Sequence, residues 1–451
     1  MSILVTDLTK PTRPLVALPD GQSLVLEGIP DKVVARVRAQ VTSLLLGLVG
    51  SQTRPGDPMN YPVAWQRDGA YVVVGLARSG HATVARRLAR QIAEEDFFGG
   101  FGAEADAPGL GLWALGEVAT AIGDSSYDEA AWPHIARKAD LIETLLTSTD
   151  IVRRSYSGPI VPAYAGRQNL DLVAYPAREG LIDGRMDWHR PVFYVNAVSH
   201  LGMLEAARVA GRLGRTVEQD RWQAVAGSLK TAWRTAFTAL GTGSAEVGNP
   251  RTAICGLWPA DIADPVAYAV LLEERWKRFR MPEGEFRAWP LWTYFDLAEA
   301  HQWLRLGRPE RAALTLDWFD RHQPAPGLHS FWEGNGEENS FHRWQHVRGN
   351  LKPGQVTPHY WSAAECLLLE LERLAFIERA STPTLVIGAG VEESWLKRPL
   401  VVAGVGTTAG PVNWSWDGVG TVSVEVRENI LLRLGPAFPS STRTVLRRLE
   451  Q

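Results

Sequence analysis

Cysteine is nearly absent from this sequence, which excludes the structures and chemistry that depend on several thiols. The 451 residues include two cysteines, Cys255 and Cys366. Two thiols cannot build a disulfide framework, and they are too few for a cysteine-based zinc site. Because both stand in apolar segments, we expect them to be buried free thiols.

The chain also lacks a strong excess of either charge and any long apolar run. It has 47 basic and 50 acidic residues, a formal net charge of −3, and no basic tract that would suggest a nucleic-acid partner. No run approaches the roughly 18 apolar residues of a membrane span. The N-terminal stretch "MSILVTDLTKPTRP" lacks the charged and then apolar pattern of a signal peptide, so we expect a cytoplasmic protein.

Several signatures of catalysis are missing as well. No H-E-x-x-H pair occurs, and His342 and His346 stand four apart in a segment with loop composition, which argues against a metal site. Neither a G-x-S-x-G elbow nor a P-loop is present, and no G-x-G-x-x-G follows a strand. The sequence therefore predicts neither a metal nor a cofactor.

Helical periodicity is what the chain does have, from residue 31 to about 378. The stretch "DKVVARVRAQVTSLLLGLVG" has Asp31 as a candidate N-cap and an apolar stripe at helical spacing. Further helices are predicted near 67–79, 81–95, 109–123, 130–148, 196–213, 216–237, 263–278, 289–306, 308–322 and 359–378. Longer loops follow alternate helices. This spacing favours six α-hairpins in a ring, with the long loops and the binding residues gathered at one end.

The composition becomes β-rich after about Ser381. Short runs such as "TVSVEV" alternate at period 2 between Gly, Pro and Asn residues. We therefore predict a mainly α domain over 31–380 and a small antiparallel β-rich region over 381–451. Residues 1–30 are predicted to form an extension that contributes one or two strands.

Polar and aromatic residues concentrate in four of the long loops. They are Trp65, Arg67 and Asp68; then Glu104 and Asp106; then Glu179, Asp183, Asp187, Trp188, His189, Arg190 and Tyr194; and then Trp332, Glu333, Glu337, Glu338 and Trp344. Helix capping is the alternative for Asp106. So many aromatic side chains in loops are unfavourable without a ligand, which favours a cleft. Acids that face each other across an aromatic cleft are what glycoside hydrolysis requires.

Four segments resemble the six-hairpin glycosidases, a superfamily of (α/α)6-barrel glycoside hydrolases that includes glucoamylases, trehalases, processing α-glucosidases and α-L-rhamnosidases. "WQRDGAYVVVGLARSG" is similar to their W-x-R-D motif, whose acid binds hydroxyls of the terminal sugar. "GRMDWHRPVFYVNAVSHLGMLEAARVAG" resembles the segment of the general acid. "FWEGNGEENS", followed by "TPHYWSAAECLLLELERL", resembles the late loop that supplies the base. "LVIGAGVEESWL" with "PVNWSW" looks like the β-rich tail of the rhamnosidase-like branch.

The resemblance implies roles for particular residues. Asp187 is the first choice for the general acid, with Asp183 and Glu179 as alternatives, and Glu333 leads for the base, with Glu337 and Glu338 in reserve. An exo-acting, inverting hydrolase of an α-linked sugar is expected, with a raised pKa for Asp187 beside Trp188 and Phe193. The expected substrate-binding residues are Trp65, Arg67, Asp68, Glu104, Asp106, Trp113, Trp188, His189, Trp332, Trp344 and Trp361. For each tryptophan, core packing is an equal alternative.

Other functions remain open at this point. A polysaccharide lyase on the same barrel would use His189 and Tyr194 with Arg190 to neutralise a uronate. A sugar epimerase with paired histidines is a weaker alternative, and a non-catalytic sugar-binding protein would need the tryptophans without the two acids. The expected partner is a carbohydrate in each case, and the sequence leaves self-association into a homo-oligomer open.

Overall fold

The structure is a computed structural model, and helices account for most of the regular elements in the part of the chain it describes. The described residues are 24–58, Tyr61, 63–97, Gly100, 102–154, 170–187, 189–240, 249–288, 292–323, 327–334, 356–379, 382–427 and 430–448. Twelve α-helices lie within these ranges. They are α1 (Asp31–Leu46), α2 (Gln66–Arg78), α3 (Ala82–Glu94), α4 (Ala107–Ile122), α5 (Ser125–Thr147), α6 (Val192–Arg212), α7 (Thr216–Ala239), α8 (Pro250–Ala253), α9 (Pro265–Phe279), α10 (Thr293–Arg305), α11 (Pro309–Arg321) and α12 (Tyr360–Leu374).

The helices alternate between an inner and an outer ring. The even-numbered helices pack on one another in the order α2, α4, α6, α8, α10 and α12, and α12 packs back on α2, so the inner ring closes. Every residue of α2 and of α12 is buried, whereas the outer α1 and α7 each bury a single stripe at helical spacing. The fold is therefore an (α/α)6 barrel, as the sequence resemblance implied.

The fourth inner position is held by the short α8 and a buried irregular segment that follows it. Buried backbone groups outside helices and strands need other hydrogen-bond partners. The side-chain amide of Gln302, on α10, supplies them: its oxygen accepts from the N–H groups of Leu257 and Trp258, and its nitrogen donates to the carbonyl oxygens of Ile254 and Trp258. One buried glutamine thus replaces part of an inner helix.

In the described part of the chain eleven strands form three small sheets. They are β1 (Val25–Glu27), β2 (Val152–Arg153), β3 (Leu172–Arg178), β4 (Leu181–Gly184), β5 (Ala375–Glu378), β6 (Thr384–Ile387), β7 (Leu400–Thr407), β8 (Gly410–Trp416), β9 (Thr421–Val426), β10 (Leu431–Leu434) and β11 (Arg443–Arg448). The larger C-terminal sheet has the order β1-β7-β8-β9-β11, and the smaller has β10-β6-β5. The pairs β9–β11 and β6–β10 are parallel. The predicted β-rich C-terminal region is confirmed, but both of its sheets are mixed rather than antiparallel.

The predicted helices are all present, with differences at their ends. Helix α5 begins five residues before its predicted start, because Asp124 accepts a capping hydrogen bond from the N–H of Ser126 and the helix accommodates Pro133. The β2–β3–β4 sheet lies within the segment predicted as a long loop. Cys255 and Cys366 are buried free cysteines, as expected. Among the described residues, no helix is long and apolar enough to cross a membrane.

Two glycines bring the inner helices α4 and α6 into backbone contact. A Cβ atom at Gly109 would lie 2.5 Å from the carbonyl oxygen of Val198, and one at Gly202 would lie 2.6 Å from the carbonyl oxygen of Gly109. Both distances are shorter than van der Waals contact between a side chain and the backbone. The close approach of these two helices therefore requires glycine at both positions.

We predict that Gly109→Ala lowers the free energy of unfolding by about 1–3 kcal/mol, because the added methyl group overpacks the contact between α4 and α6. The matched control is Gly227→Ala on the outer helix α7, where an added Cβ would meet nothing within 4 Å. That substitution should raise the free energy of unfolding by roughly 0.5–1 kcal/mol through helix propensity. Urea unfolding of the three proteins measures both effects, and equal signs for the two substitutions would contradict the close approach.

Candidate active site

The N-terminal ends of the inner helices carry the residues that the sequence singled out. Arg67 and Asp68 lie in the first turn of α2, Asp106 immediately precedes α4, and Tyr360 and Trp361 open α12. Helix N-termini carry a partial positive charge, which favours carboxylates at this end of the barrel. The ring of hairpins thus gathers acidic side chains from distant parts of the chain.

The guanidinium of Arg67 lies at the centre of this group. It donates to the carboxylates of Glu104 at 2.9 Å and Asp106 at 3.2 Å, and to both oxygens of Asp187 at 2.9 Å. The carboxylate of Asp68 lies 3.9 Å from Nε of Arg67. We call these five residues the Arg67 cluster. All five are buried except Asp187, whose side chain is 21% exposed and therefore accessible to a ligand.

One buried cation cannot neutralise four carboxylates, and the pKa values reflect this. Burial raises the pKa of Asp68 to about 7, against the attraction of Arg67. Burial likewise raises the pKa of Glu104 well above its ordinary value and also that of Asp106. For Asp187 burial acts in the same direction, but the attraction of Arg67 and then Arg251 outweighs it, so its pKa is lowered. The expected raised pKa of Asp187 is thus wrong for the protein without ligand.

Local structure holds Asp187 where Arg67 can reach it. The residue follows strand β4 in a turn where the backbone of Met186 pairs with that of His189, and its φ of 49° lies in the left-handed region. Its N–H donates to Oε1 of Glu104 at 2.7 Å. The guanidinium of Arg185 donates to the carbonyl oxygens of Asp187 at 3.0 Å and of Ala103 at 3.0 Å, which ties this turn to the loop before α4.

Glu333 approaches the same end of the barrel from the late loop. Its N–H donates to the carbonyl oxygen of Val356 at 3.0 Å, and its carbonyl oxygen accepts from the N–H of Thr293 at 2.8 Å. The hydroxyl of Tyr61 donates to Oε1 of Glu333. The pKa of Tyr61 is raised well above its ordinary value, first by burial and then by the charges of Glu333, Asp68 and Asp187. Tyr61 therefore contacts Glu333 and also feels the charges of two members of the Arg67 cluster.

Two of the alternative acids lie outside this group. Asp183 is on strand β4, and its carboxylate accepts from Arg190 at 2.8 Å rather than from Arg67. Glu179 is exposed in the turn between β3 and β4, with a φ of 53°. The pairing of β3 with β4 directs these residues away from Asp187, which the spacing of the acids in the sequence did not indicate.

The tryptophans divide between the core and the site. Trp113 and Trp332 are each 1% exposed and pack in the core, where neither has a free face for a sugar. Trp361 stacks on Tyr294 with ring centroids 3.5 Å apart. The guanidinium carbon of Arg67 lies 5.5 Å from the centroid of the Trp361 ring. Trp65 is buried edge-to-face against Tyr61 at 5.2 Å. Trp113 and Trp332 are therefore core residues rather than sugar platforms.

His189 is exposed, and its charge contributes to the lowered pKa of Asp187 after Arg67 and Arg251. Asp106 is the N-cap residue of α4, but its side chain makes no capping hydrogen bond and accepts from Arg67 instead. Trp188, Glu337, Glu338 and Trp344 lie outside the described residues. In the described segments, no three or more His, Cys, Asp and Glu side chains are arranged to hold a metal ion.

The sequence reasoning missed two residues of the site. Tyr61, which donates to Glu333, stands only four residues before Trp65 of the W-x-R-D motif, so its position next to the motif was an available signal. Arg251, the second cation that acts on Asp187, lies in α8. No periodic pattern marks a helix as short as α8, so nothing local pointed to Arg251.

Comparison with known proteins shows similarity in structure without similarity in sequence. The chain matches no known family model and no curated protein sequence. A GH78 family rhamnosidase of Bacillus sp. GL1 matches 96% of this chain at 13% identity with a TM-score of 0.58, and the match covers 44% of the rhamnosidase. An α-L-rhamnosidase from Dictyoglumus thermophilum matches 88% of this chain at 12% identity with a TM-score of 0.52, over 43% of its own length.

A smaller glycosidase structure is similar over nearly all of its length. It matches 75% of this chain and 96% of its own chain at 15% identity, with a TM-score of 0.50. This chain spans less than half the length of the two rhamnosidases above. At such low identities the similarity establishes the barrel fold, and it confirms the six-hairpin architecture that the motifs implied.

We predict that Asp68→Asn stabilises the protein increasingly as pH rises. The pKa of Asp68 is about 7 in the folded protein and 3.8 for the free side chain, so between these pH values the folded state binds more protons and wild-type stability falls as pH rises. An asparagine side chain does not ionise, so the variant does not lose stability in this way as pH rises. The advantage of the variant over wild type should be small near pH 4 and reach up to about 4 kcal/mol at pH 8, since one pKa unit corresponds to about 1.4 kcal/mol.

Asp96→Asn is the control with the opposite sign. Although burial opposes it, hydrogen bonds from Arg137 and Lys138 lower the pKa of Asp96, so this residue stabilises the fold above its unfolded pKa and ceases to do so as pH falls. Asp96→Asn should therefore be less stable than wild type at neutral pH, with a difference that shrinks in acid. Urea unfolding at pH 4 and pH 8 measures both. A pH-independent difference for Asp68→Asn would contradict the assignment.

Proposed function

We propose that this protein is a glycoside hydrolase that acts on a carbohydrate substrate at the Arg67 cluster. The observation that carries the proposal is the position of Tyr61, whose pKa is raised by burial and then by Glu333, Asp68 and Asp187. The charges of carboxylates from three separate segments thus act on one hydroxyl. The stacked rings of Trp361 and Tyr294 lie beside Arg67 of the same cluster. The similarity in fold to glycosidases supports the same reaction class.

Hydrolysis of a glycosidic bond needs one group that donates a proton and one that activates water or attacks the sugar. We assign Asp187 as the general acid and Glu333 as the general base, which Tyr61 orients through its hydrogen bond. In an inverting enzyme a water molecule lies between the base and the sugar, and the two carboxyl groups are about 6.5–9.5 Å apart. Asp68, beside Arg67, would bind hydroxyls of a terminal sugar, which favours exo-action on an α-linked residue.

The acid role of Asp187 requires the substrate to change its environment. Arg67 lowers the pKa of Asp187, whereas burial raises the pKa of Glu104 and of Asp106, so these two carboxyl groups take up a proton more readily than Asp187 does. Carboxyls this close titrate as a group rather than singly. A sugar that desolvates Asp187 and takes over hydrogen bonds of Arg67 would raise the pKa of Asp187 and move the shared proton towards it.

Asp106 offers a further place for a proton or a sugar hydroxyl. Its Oδ1 is buried and has no hydrogen-bond partner within the described part of the chain, although Oδ2 accepts from Arg67. A buried carboxyl oxygen is stabilised by a donor. In the proposed reaction Oδ1 of Asp106 would accept a hydrogen bond from a sugar hydroxyl.

The lyase alternative finds less support in the geometry. Its neutralising cation, Arg190, is engaged by Asp183, and its phenol, Tyr194, is fully buried. A lyase needs both groups at the substrate. A binding protein without catalysis is separated from a hydrolase by the experiments below, since it would retain a sugar without releasing a product.

We predict that wild type hydrolyses at least one α-linked disaccharide of a panel and releases the sugar with the opposite anomeric configuration. Glu333→Gln should lower the hydrolysis rate by about 10²–10⁴-fold, because amide replaces the group that activates water. Proton NMR during the first minutes of the reaction reports the anomer and the rate together. Glu393→Gln, at an exposed glutamate of the C-terminal region, is the matched control and should leave the rate unchanged.

Three outcomes would overturn parts of this assignment. Release of the same anomer would exclude the inverting mechanism, and full activity of Glu333→Gln would exclude Glu333 as the base. Saturable binding of a sugar by wild type with no cleavage of any panel member would leave a binding protein instead of a hydrolase.

We predict that Asp187→Asn loses most activity on substrates whose leaving group must be protonated and little on substrates whose leaving group departs as an anion. Hydrolysis of an alkyl glycoside should fall by about 10²–10⁴-fold, the usual contribution of general acid catalysis. A 2,4-dinitrophenyl glycoside of the same sugar, whose leaving group departs without a proton, should be cleaved by the variant within roughly tenfold of wild type. Initial rates on the two substrates measure the contrast.

Asp183→Asn is the matched comparison in the same loop. Because Asp183 binds Arg190 and not Arg67, this variant should lower the rates on the two substrates equally, if at all. If the dependence on the leaving group appears in Asp183→Asn and not in Asp187→Asn, the acid is Asp183. Equal losses on both substrates for Asp187→Asn would make Asp187 a substrate-binding residue.

A further inference from the structure

A second cleft lies at the opposite end of the barrel, between the helices and the C-terminal sheet. Its volume is about 340 Å³, within the range of small-molecule sites. Arg78 at the end of α2, Arg86 on α3 and Glu117 on α4 form the helical side, and Thr407 on β7 with Arg427 after β9 form the other. Arg67 and Arg78 are eleven residues apart on α2, so this cleft is about 16 Å along the helix from the Arg67 cluster.

The cleft has an excess of positive charge. Among the described residues the one carboxylate that lines it, Glu117, is already neutralised: Arg78 donates to its two oxygens at 2.6 Å and 3.0 Å. Arg78 also donates to Glu372 at 2.9 Å. Arg86 and Arg427 form no ion pair in the described ranges, which leaves two unneutralised guanidinium groups at one cavity.

The surroundings of these two arginines leave them available to a ligand. Arg86 lies over the ring of Tyr127 at 5.6 Å. The pKa of the exposed Asp124 is lowered mainly by hydrogen bonds from Ser126 and only lastly by the charge of Arg86. Arg427 extends towards the end of α4, where its Nη1 would lie 3.1 Å from a Cβ atom at Gly123. Both side chains are exposed, so an anion can reach them from solvent.

The cleft depends on a close fit between the barrel and the sheet. A Cβ atom at Gly406 on β7 would lie 2.6 Å from Cα of Arg78, so the strand and helix α2 touch through their backbones. Buried ion pairs hold the guanidinium of Arg78, which is 6% exposed, at this junction. The floor of the cleft is therefore rigid, while the two unneutralised arginines come from different parts of the chain.

We propose that this cleft binds a small oxyanion, the phosphate or carboxylate groups of a metabolite, between Arg86 and Arg427. Guanidinium groups bind phosphate and carboxylate oxygens by paired hydrogen bonds. Such a ligand would neutralise the excess charge and bridge the barrel to the C-terminal sheet. The site is separate from the proposed hydrolase centre and does not depend on that function.

Isothermal titration of the full-length protein with inorganic phosphate and, separately, with citrate tests the proposal. Ionic strength is held constant with sodium chloride, so that screening does not differ between injections. Wild type should bind at least one of the two anions saturably with a Kd in the millimolar range or tighter. Arg86→Gln and Arg427→Gln should each weaken this binding about tenfold, because each removes one guanidinium from the anion.

Two matched substitutions control for overall charge. Arg87→Gln alters the next residue of α3, and Arg443→Gln alters an exposed arginine of β11, and neither residue lines the cleft. Both variants should bind within twofold of wild type. Circular dichroism of all four variants checks that they are folded, and none of these measurements depends on hydrolase activity.

Some outcomes identify the chemical class of the ligand, and others reject the proposed anion site. Binding of phosphate alone points to a phosphorylated metabolite, binding of citrate alone to a carboxylate, and binding of both to a general oxyanion site. No saturable binding by wild type would overturn the proposal. Equal weakening by Arg87→Gln and Arg86→Gln would overturn it as well, since it would show a diffuse charge effect.

Discussion

The ion pairs of one buried guanidinium, that of Arg67, hold the candidate site together. The carboxylates of Glu104 and Asp106 come from the loop before α4 and that of Asp187 from the turn after β4, and Arg67 binds all three at 2.9–3.2 Å. A buried charge is tolerated only when it is paired and hydrogen-bonded, and an excess of carboxylates must take up protons instead. The same contact that organises the site therefore sets its protonation, with Asp187 ionised while Glu104 and Asp106 favour the neutral form.

This arrangement depends on the closed inner ring. Because α12 packs back on α2, the N-terminal ends of the inner helices share one end of the barrel, and Arg67 comes within 5.5 Å of the Trp361 ring. The ring tolerates one irregular member because Gln302 satisfies the backbone of the segment after α8. It is tight at Gly109 and Gly202, where α4 and α6 touch through their backbones.

Helix α2 links the two charged ends of the barrel. Arg67 at one end binds an excess of carboxylates, and Arg78 at the other belongs to a buried network in which Glu372 also contacts His301 at 3.0 Å, and His301 contacts Glu365 at 2.7 Å. These buried groups are paired with one another, so their charges are compensated without a ligand. At the surface cleft Arg86 and Arg427 have no ion-pair partner in the described part of the chain, and both side chains are exposed. In the core network each charged group has a partner of opposite charge. At the two candidate binding sites one sign of charge is in excess, and this excess distinguishes them from structural ion pairs.

By itself the sequence determined the helices, their alternation with long loops, the β-rich C-terminal region and the two loops that carry Asp187 and Glu333. It could do so because helical periodicity, turn residues and a short motif are local, and each is readable within a few neighbouring positions. Only the tertiary structure decided that Trp113 and Trp332 belong to the core, that Asp183 binds Arg190, and that the pKa of Asp187 is lowered rather than raised. Burial and ionisation depend on which distant groups a side chain meets. The partners of Asp187, at Arg67, Glu104 and Arg251, are separated from it by 64 to 120 positions in the chain.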